Sequence, residues 1–216
     1  MTPLGKPSVH PNLRLAVLLL AAGEGSRLGS IPKALLRLEG HSLLQRFCKR
    51  VQALSPVEFL IVTGFHAPAI EAEVHEVKQE LDLSIEWVRN PNPELGQPSS
   101  VRLGLESLKS DYDVLLLALG DQPFIGTAEI IALLEQFKRR TGQEEIILPM
   151  FGQQRGNPVL FSKKVITEIL AIPAMVCRPF MDQHPELVHI FETDNKAYIQ
   201  DVDTPEDIQN LGLKQI

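Results

Sequence analysis

Leu15-Ala-Val-Leu-Leu-Leu-Ala-Ala-Gly-Glu-Gly-Ser-Arg-Leu-Gly29 decides how this chain is to be read. Its first half is a continuous apolar run, the pattern of a strand buried on both faces. Its second half is a loop in which Gly23, Gly25 and Gly29 permit positive φ and close backbone approach. Successive free N–H groups in such a loop form a concave anion site. Arg27 and Lys33 bring two positive charges to it. A polyphosphate is the natural guest.

Outward from this stretch, strands and helices alternate. Ser42 precedes Leu43, Leu44, Phe47, Val51 and Leu54, which predicts a helix capped by Ser42. Val57 to Thr63 and Val114 to Leu119 read as buried strands, and Ile85 to Val88 as a shorter one. Ala67 to Leu81 reads as a helix, and Ser99 or Ser100 is expected to cap another carrying Val101, Leu105 and Leu108. Thr127 is expected to cap a helix running through Arg140, and Ile146 to Leu148 is paired with Gly156 to Phe161 as a hairpin. Helices are expected around Lys164 to Leu170 and Met175 to Gln183, with strands at Leu187 to Phe191 and Tyr198 to Val202. Thr204 caps a closing helix with Pro205 in its first position, where the missing N–H costs nothing. The alternation implies parallel βαβ units, a sheet covered on both faces, and ligands at the carboxyl ends of the strands.

Composition narrows the classes. The 216 residues carry 21 Lys+Arg and 27 Asp+Glu, a net charge of −6, with 44% hydrophobic and 22% charged residues. That is a globular composition, long enough to bury roughly 70% of the unfolded chain's surface. The acidic balance excludes bulk electrostatic nucleic-acid binding. Cys48 and Cys177 show no metal or redox spacing, which favours a reduced, cytoplasmic protein. The run Leu15 to Ala22 follows Arg14 as a secretory core would, but it leads straight into the glycine loop. It is also far short of the roughly 20 apolar residues of a membrane span. Residues 1–12, with three prolines, read as a mobile extension, and 13–216 as a single domain.

Two familiar phosphate loops do not fit. Gly23-x-Gly25-x-x-x-Gly29 is one residue longer than the dinucleotide fingerprint, and the second strand ends in Val62-Thr63-Gly64-Phe65 without the ribose-binding acid. Ser30-Ile31 follows Gly29 where a Walker loop needs Lys-Ser/Thr.

The loop with Pro32-Lys33 resembles the nucleotidyltransferase signature. Gly96-Gln-Pro-Ser-Ser-Val-Arg-Leu-Gly104, Leu119-Gly-Asp-Gln-Pro123, Arg155-Gly-Asn-Pro-Val-Leu-Phe161 and Asp201-Val-Asp-Thr-Pro-Glu-Asp207 follow in order. Together they resemble the molybdenum cofactor cytidylyltransferases, within the MobA-like NTP transferases. The resemblance implies a three-layer, Rossmann-like α/β sandwich with a mostly parallel sheet and one antiparallel strand, as in nucleotide-diphospho-sugar transferases. It implies Mg²⁺-dependent transfer of CMP from CTP to the terminal phosphate of molybdopterin, with release of pyrophosphate and a client molybdoenzyme as possible recipient. Ala21-Ala22 looks like the cytidylyl form. Two alternatives stay open: a guanylyl- or other nucleotidyltransferase using GTP or a sugar-phosphate acceptor, and a nucleotide- or cofactor-binding chaperone without chemistry.

On this resemblance, Leu20, Ala21, Ala22, Gly23, Gly25, Ser26, Arg27, Lys33, Ser99 and Ser100 would bind the nucleotide. Arg27 and Lys33 would neutralise the leaving pyrophosphate and the α-phosphate, and Asp121 would complete the catalytic set. Asp121 and Asp203 would hold the metal, with Asp201 in support; Asp203 also reads as a helix cap, and the resemblance favours the metal. Asp121 has no Lys or Arg beside it in the sequence, so a metal would be its counter-charge. Arg155, Gly156 and Asn157 would face the acceptor, or form a solvent-facing turn. Arg102 reads as a second cation near the nucleotide or as a solvated face, and His66 and His184 as solvated singletons. One stretch departs from the family: Ile172-Pro-Ala-Met-Val-Cys-Arg178 stands where members often show Gly-Asp-x-Gly-Ala-Arg.

Overall fold

The computed structural model describes residues 13–215. The extension expected over residues 1–12 lies outside them. β1 (Leu15–Ala21) is central, paired in parallel with β4 (Glu58–Thr63) on one side and β6 (Val114–Leu119) on the other. β5 (Glu86–Arg89) extends the β4 side in parallel. On the far side, β9 (Val159–Ser162) runs antiparallel to both β6 and β7 (Ile146–Phe151), and β10 (Val188–Glu192) closes the edge parallel to β7. A hairpin strand β8 (Gln154–Arg155) folds back on β7, and a separate ribbon joins β2 (Arg37–Leu38) to β3 (His41–Ser42). The sheet is therefore mostly parallel with antiparallel insertions.

Every residue of β1 is buried, because the sheet has helices on both faces. Leu15, Val17 and Leu19 pack toward α1 (Leu43–Gln52), α2 (Ala67–Glu80) and α4 (Thr127–Arg139). Ala16, Leu18 and Leu20 pack toward α3 (Gln97–Ser107), α5 (Lys163–Ala171) and α6 (Cys177–Gln183). Each fully buried leucine contributes about 1.5–3 kcal/mol over exposure. Cys48 and Cys177 fall in the two different cores and both thiols are free. A last helix, α7 (Pro205–Asn210), joins a small third cluster with Leu28 and Leu36 through Ile208.

Three local expectations are corrected. Helix α3 begins at Gln97 after Gly96, so Ser99 and Ser100 lie inside its first turn and cap nothing. Their hydroxyls accept from Asn90 Nδ2 instead, at 2.8 and 2.9 Å. Helix α4 is preceded by Gly126, whose N–H donates to Glu129, while the Thr127 hydroxyl donates to the Arg50 carbonyl. The strand expected at Tyr198 to Val202 is a short 3-10 turn, Lys196–Ile199, followed by chain without regular secondary structure. Ser42 and Thr204 do cap their helices, accepting from Gln45 N and Asp207 N. No described helix is long and apolar enough to cross a membrane.

Candidate active site

The loop after β1 is shaped by two left-handed glycines. Gly25 (φ 69°) could not carry a side chain, because a Cβ there would lie 2.2 Å from the Ile31 carbonyl oxygen. Gly29 (φ 80°) closes a turn in which Leu28, Gly29 and Ser30 donate back to Gly25 and Ser26. The N–H groups of Gly23 to Arg27 donate to no group among the described residues. His66 Nε2 lies 2.8 Å from the Glu24 carbonyl oxygen and ties this loop to the one after β4, so His66 is not the solvated singleton expected.

At the carboxyl end of β6 stands Asp121, and its counter-charge is Lys33. Lys33 Nζ lies 3.2 Å from Asp121 Oδ2 and 2.6 Å from Asp203 Oδ1. Arg27 Nη1 reaches the other oxygen of Asp203 at 3.1 Å. The expectation that Asp121 lacks a basic neighbour is thus corrected: the neighbour comes from a loop 88 positions away. Burial lifts the Asp121 carboxyl above its usual range, opposed by the Lys33 ammonium. Burial works against the Lys33 charge, yet its hydrogen bond to Asp203 and the field of Asp121 outweigh it and keep Lys33 protonated. Asp201 is pushed up to about 6, first by burial and then by the charges of Asp121 and Asp203.

Asp203 does not cap the helix that follows it. Thr204 caps α7, and Asp207 accepts from the backbone N–H groups of Asp203 and Thr204. The Asp203 carboxylate is left facing Lys33 and Arg27.

Two clefts open from this point. The smaller, about 310 Å³, is lined by Ala21, Ala22, Gly23, Lys33 and Ser100, with Phe65 and Pro93 on its rim. The larger, about 800 Å³, is lined by Arg27, Arg155, Gly156, Asn157, Arg178 and Asp201 over an apolar floor that includes Leu117 and Phe161. Leu20, Gln97, Leu119 and Asp121 line both. Gly25, Ser26 and Ser99 line neither. Gln97, Asn90 and Phe65 were not singled out by sequence reasoning; the Asn-Pro after β5 and the Gly-Gln opening α3 are the signals that could have found them. Arg155 pairs with Asp182 of α6 at 2.6 Å, and Gly156 and Asn157 are tied by their N–H groups to Pro149 and Tyr198. Arg102 is not solvated: its guanidinium donates to backbone carbonyls in the last turn of α5 and in the turn that follows it.

Asp121 and Asp203 are the residues that could hold a divalent cation here. Asp121 and Asp203 offer hard carboxylate oxygens around one ammonium, and Mg²⁺ commonly takes only one or two protein carboxylates with phosphate oxygens and water. Among the described residues no group of three His, Cys, Asp or Glu is arranged to hold a metal.

A mostly parallel sandwich with a glycine loop at the carboxyl end of its central strand is an architecture that this chain shares with solved structures, a nucleotidyl transferase among them. Rv0371c of Mycobacterium tuberculosis shares the fold at TM-score 0.71 and 23% identity, over 92% of this chain and 97% of that one. A nucleotidyl transferase from Methanothermobacter thermautotrophicus does so at TM-score 0.71 and 19% identity, over 93% and 96%. Residues 17–187 match the MobA-like NTP transferase domain, and the chain belongs to that family. The bifunctional protein GlmU of Polaromonas naphthalenivorans is 36% identical over 131 residues, which is 60% of this chain but only 27% of that protein. A probable molybdenum cofactor guanylyltransferase of Methanosarcina acetivorans is 28% identical, over 76% of this chain and 72% of its own.

Proposed function

We propose that this protein is a cytoplasmic nucleotidyltransferase that transfers CMP from CTP to the terminal phosphate of molybdopterin and releases pyrophosphate. One observation carries the reading: Asp121 lies on the shared edge of two clefts, where a nucleotide in one and an acceptor in the other would meet. The smaller cleft, walled by Ala21 and Ala22, would take the nucleoside. The larger, with its apolar floor and Arg155, Gly156 and Asn157, would take a flat heteroaromatic acceptor carrying a phosphate.

In this reading the N–H groups of Ala22 to Arg27 bind the β- and γ-phosphates, as oriented backbone amides do. Arg27 holds the departing pyrophosphate, and Lys33 sits by the α-phosphate, where charge builds in the transition state. An oxygen of the acceptor phosphate attacks the α-phosphorus, and the bond to the β-phosphate oxygen breaks. Asp121 and Asp203 would hold Mg²⁺, which when bound supplies charge neutralisation on the phosphate oxygens. Asp201, on the acceptor side, supports the pair.

The relative named as a guanylyltransferase and the GlmU relatives favour a second reading, with GTP or a sugar phosphate as substrate. The test is incubation with Mg²⁺, each of the four triphosphates and molybdopterin, with the product identified by mass and pyrophosphate measured. The expected product is the cytidine dinucleotide. A guanosine product, or transfer only to a sugar phosphate, establishes the second reading. Binding without pyrophosphate release would leave a chaperone. CTP with Mg²⁺ should also stabilise the protein more than ATP does, and at 100 times its dissociation constant CTP should add about 2.7 kcal/mol over the unliganded protein. Equal stabilisation by all four triphosphates would remove the case for cytosine.

A further inference from the structure

Helix α3 opens at Gln97, which lines both clefts, and Pro98 and Val101 line the larger one. One turn in, Arg102 turns away from both. Its Nη1 donates to the carbonyls of Ile169, Ile172 and Met175 at 3.2, 3.0 and 3.2 Å, and its Nη2 to Leu170 at 3.1 Å. Its Nε donates to Glu106 at 2.5 Å, so all three guanidinium nitrogens donate. Two of these carbonyls belong to the last turn of α5, where a cation is favoured; Ile169 also accepts from the Ile172 N–H, whereas Leu170 has Arg102 alone among the described donors. The other two belong to the turn that leads into α6, a turn that contains Ala174 at φ 59°. Immediately beyond it, Val176, Cys177, Arg178 and Met181 form one wall of the larger cleft. This is the stretch, 172–178, whose sequence departs from the family pattern.

We propose that Arg102 is a positioning residue for the acceptor: it fastens the α5–α6 turn to the helix that carries the shared rim, and so sets the α6 wall of the larger cleft. Its role rests on the reading of that cleft as the acceptor's. The physical basis does not. Hydrogen bonds to a charged group contribute about 1.5–3 kcal/mol, and a carbonyl stripped of its donor costs a similar amount. No other side chain donates to these four carbonyls among the described residues; Ile169 and Ile172 keep the backbone N–H groups of Ile172 and Met175, so the cost of removing Arg102 falls on Leu170 and Met175. Lysine cannot reproduce the pattern, since it is a point charge with three donors where Arg102 spreads two nitrogens over four acceptors.

The two cysteines give a test that needs no acceptor. Cys177 begins α6 at 3% exposure, and Cys48 lies in the opposite core at 0%. Thiol labelling by DTNB, read by mass on each cysteine, is compared in the wild type, Arg102→Met and Arg102→Lys. The expected result is labelling of Cys177 about tenfold faster or more in Arg102→Met, intermediate in Arg102→Lys, with Cys48 unchanged as the report on global opening. Unchanged Cys177, or equal acceleration at both cysteines, overturns the proposal. Should Arg102→Met fail to fold, Arg102→Lys retains the charge and carries the same comparison. In turnover, the acceptor KM should rise about tenfold with the affinity for CTP and Mg²⁺ unchanged, a loss confined to one substrate. If Cys177 is freed but the acceptor KM does not move, the wall is not the acceptor's, and it is the reading of the cleft that fails.

Discussion

Asp121 and Asp203 come from strands and loops far apart in the chain, yet both hydrogen-bond the Lys33 ammonium. Asp121→Asn keeps the size and one acceptor oxygen, and Asp203 still holds Lys33, so the fold should persist with near-wild-type thermal stability. Turnover should fall at least about a hundredfold, roughly 2.7 kcal/mol of transition-state stabilisation. Asp203→Asn should do the same, and the double variant should lose much less than the product, because both carboxylates act on one ammonium and one cation site. Wild-type turnover of Asp121→Asn at low Mg²⁺ would end the assignment; multiplicative losses would mean separate roles. Arg155→Ala belongs beside it. The Arg155–Asp182 pair is exposed on both sides, 41% and 51%, so its removal should cost no more than about 1 kcal/mol of stability. The acceptor KM should rise while CTP affinity holds, and an equal loss of CTP affinity would remove Arg155 from the acceptor side. Single residues such as Lys33, Asp121 and Asp203 were legible because glycines, prolines and strand ends mark where ligand loops fall. Their pairing was not, since no spacing in the chain reports a contact across 88 or 170 positions.

Among the elements, those buried on both faces were read with nearly correct ends: β6 runs over Val114–Leu119 as the apolar run does. Elements that end on polar chemistry were not. Two serines in a row suggest a cap, but Gly96 at φ 84° and Pro98 in the first turn set the start of α3 three to four residues earlier. Tyr198 to Val202 looks extended in sequence, yet Asn195 accepts from Ala197 N and winds the segment into a turn. The packing of α3 carries its own prediction. A Cβ on Gly104 would meet Leu18 Cδ1 at 2.7 Å, Leu18 Cδ2 at 2.8 Å and Val62 Cγ2 at 2.9 Å. Leu18 and Val62 are fully buried and have no free space to yield into. Alanine improves helix propensity by about 1 kcal/mol. Overpacking typically costs 1–3 kcal/mol, so Gly104→Ala should come out destabilised, by up to about 2 kcal/mol. Urea unfolding should show a lower midpoint with an unchanged slope. A midpoint at or above wild type would mean that α3 shifts on the sheet without cost, and the rim residues it carries would then be less fixed than their contacts suggest.

For the whole molecule, the alternation of strands and helices was enough to foresee a mostly parallel sheet covered on both faces. The order of strands was not contained in it, because β9 enters between β6 and β7 through pairings that join distant segments. What fastens the far end and the flank of that sheet is electrostatic, and it should make the fold acid-sensitive in a defined window. At the opposite end from the site, Arg14 precedes β1 and Asp113 precedes β6. The Asp113 carboxylate accepts from the Arg14 guanidinium at 2.7 Å and from its backbone N–H at 2.8 Å, while Asp111 takes the remaining guanidinium nitrogen. These bonds hold the Asp113 carboxyl below its usual range. On the flank, Glu71 of α2 accepts from Arg89 of β5 and from the Thr63 hydroxyl of β4, with His75 adding to the field, and it is lowered as well. A carboxyl depressed in the folded state adds stability that is fully present above its unfolded value, near 4, and is lost as pH falls through the folded value. The contribution of both pairs should therefore be constant from pH 7 to about 5 and disappear below about 4. Urea midpoints of wild type and of the Asp113→Asn/Glu71→Gln variant, measured at pH 7, 5, 4 and about 3, separate this from general acid unfolding. The variant should start lower at pH 7 and lose less than wild type between about 4 and 3, so that the two curves converge at the acid end. Parallel curves across the whole range would mean that these pairs position strands without coupling stability to protons.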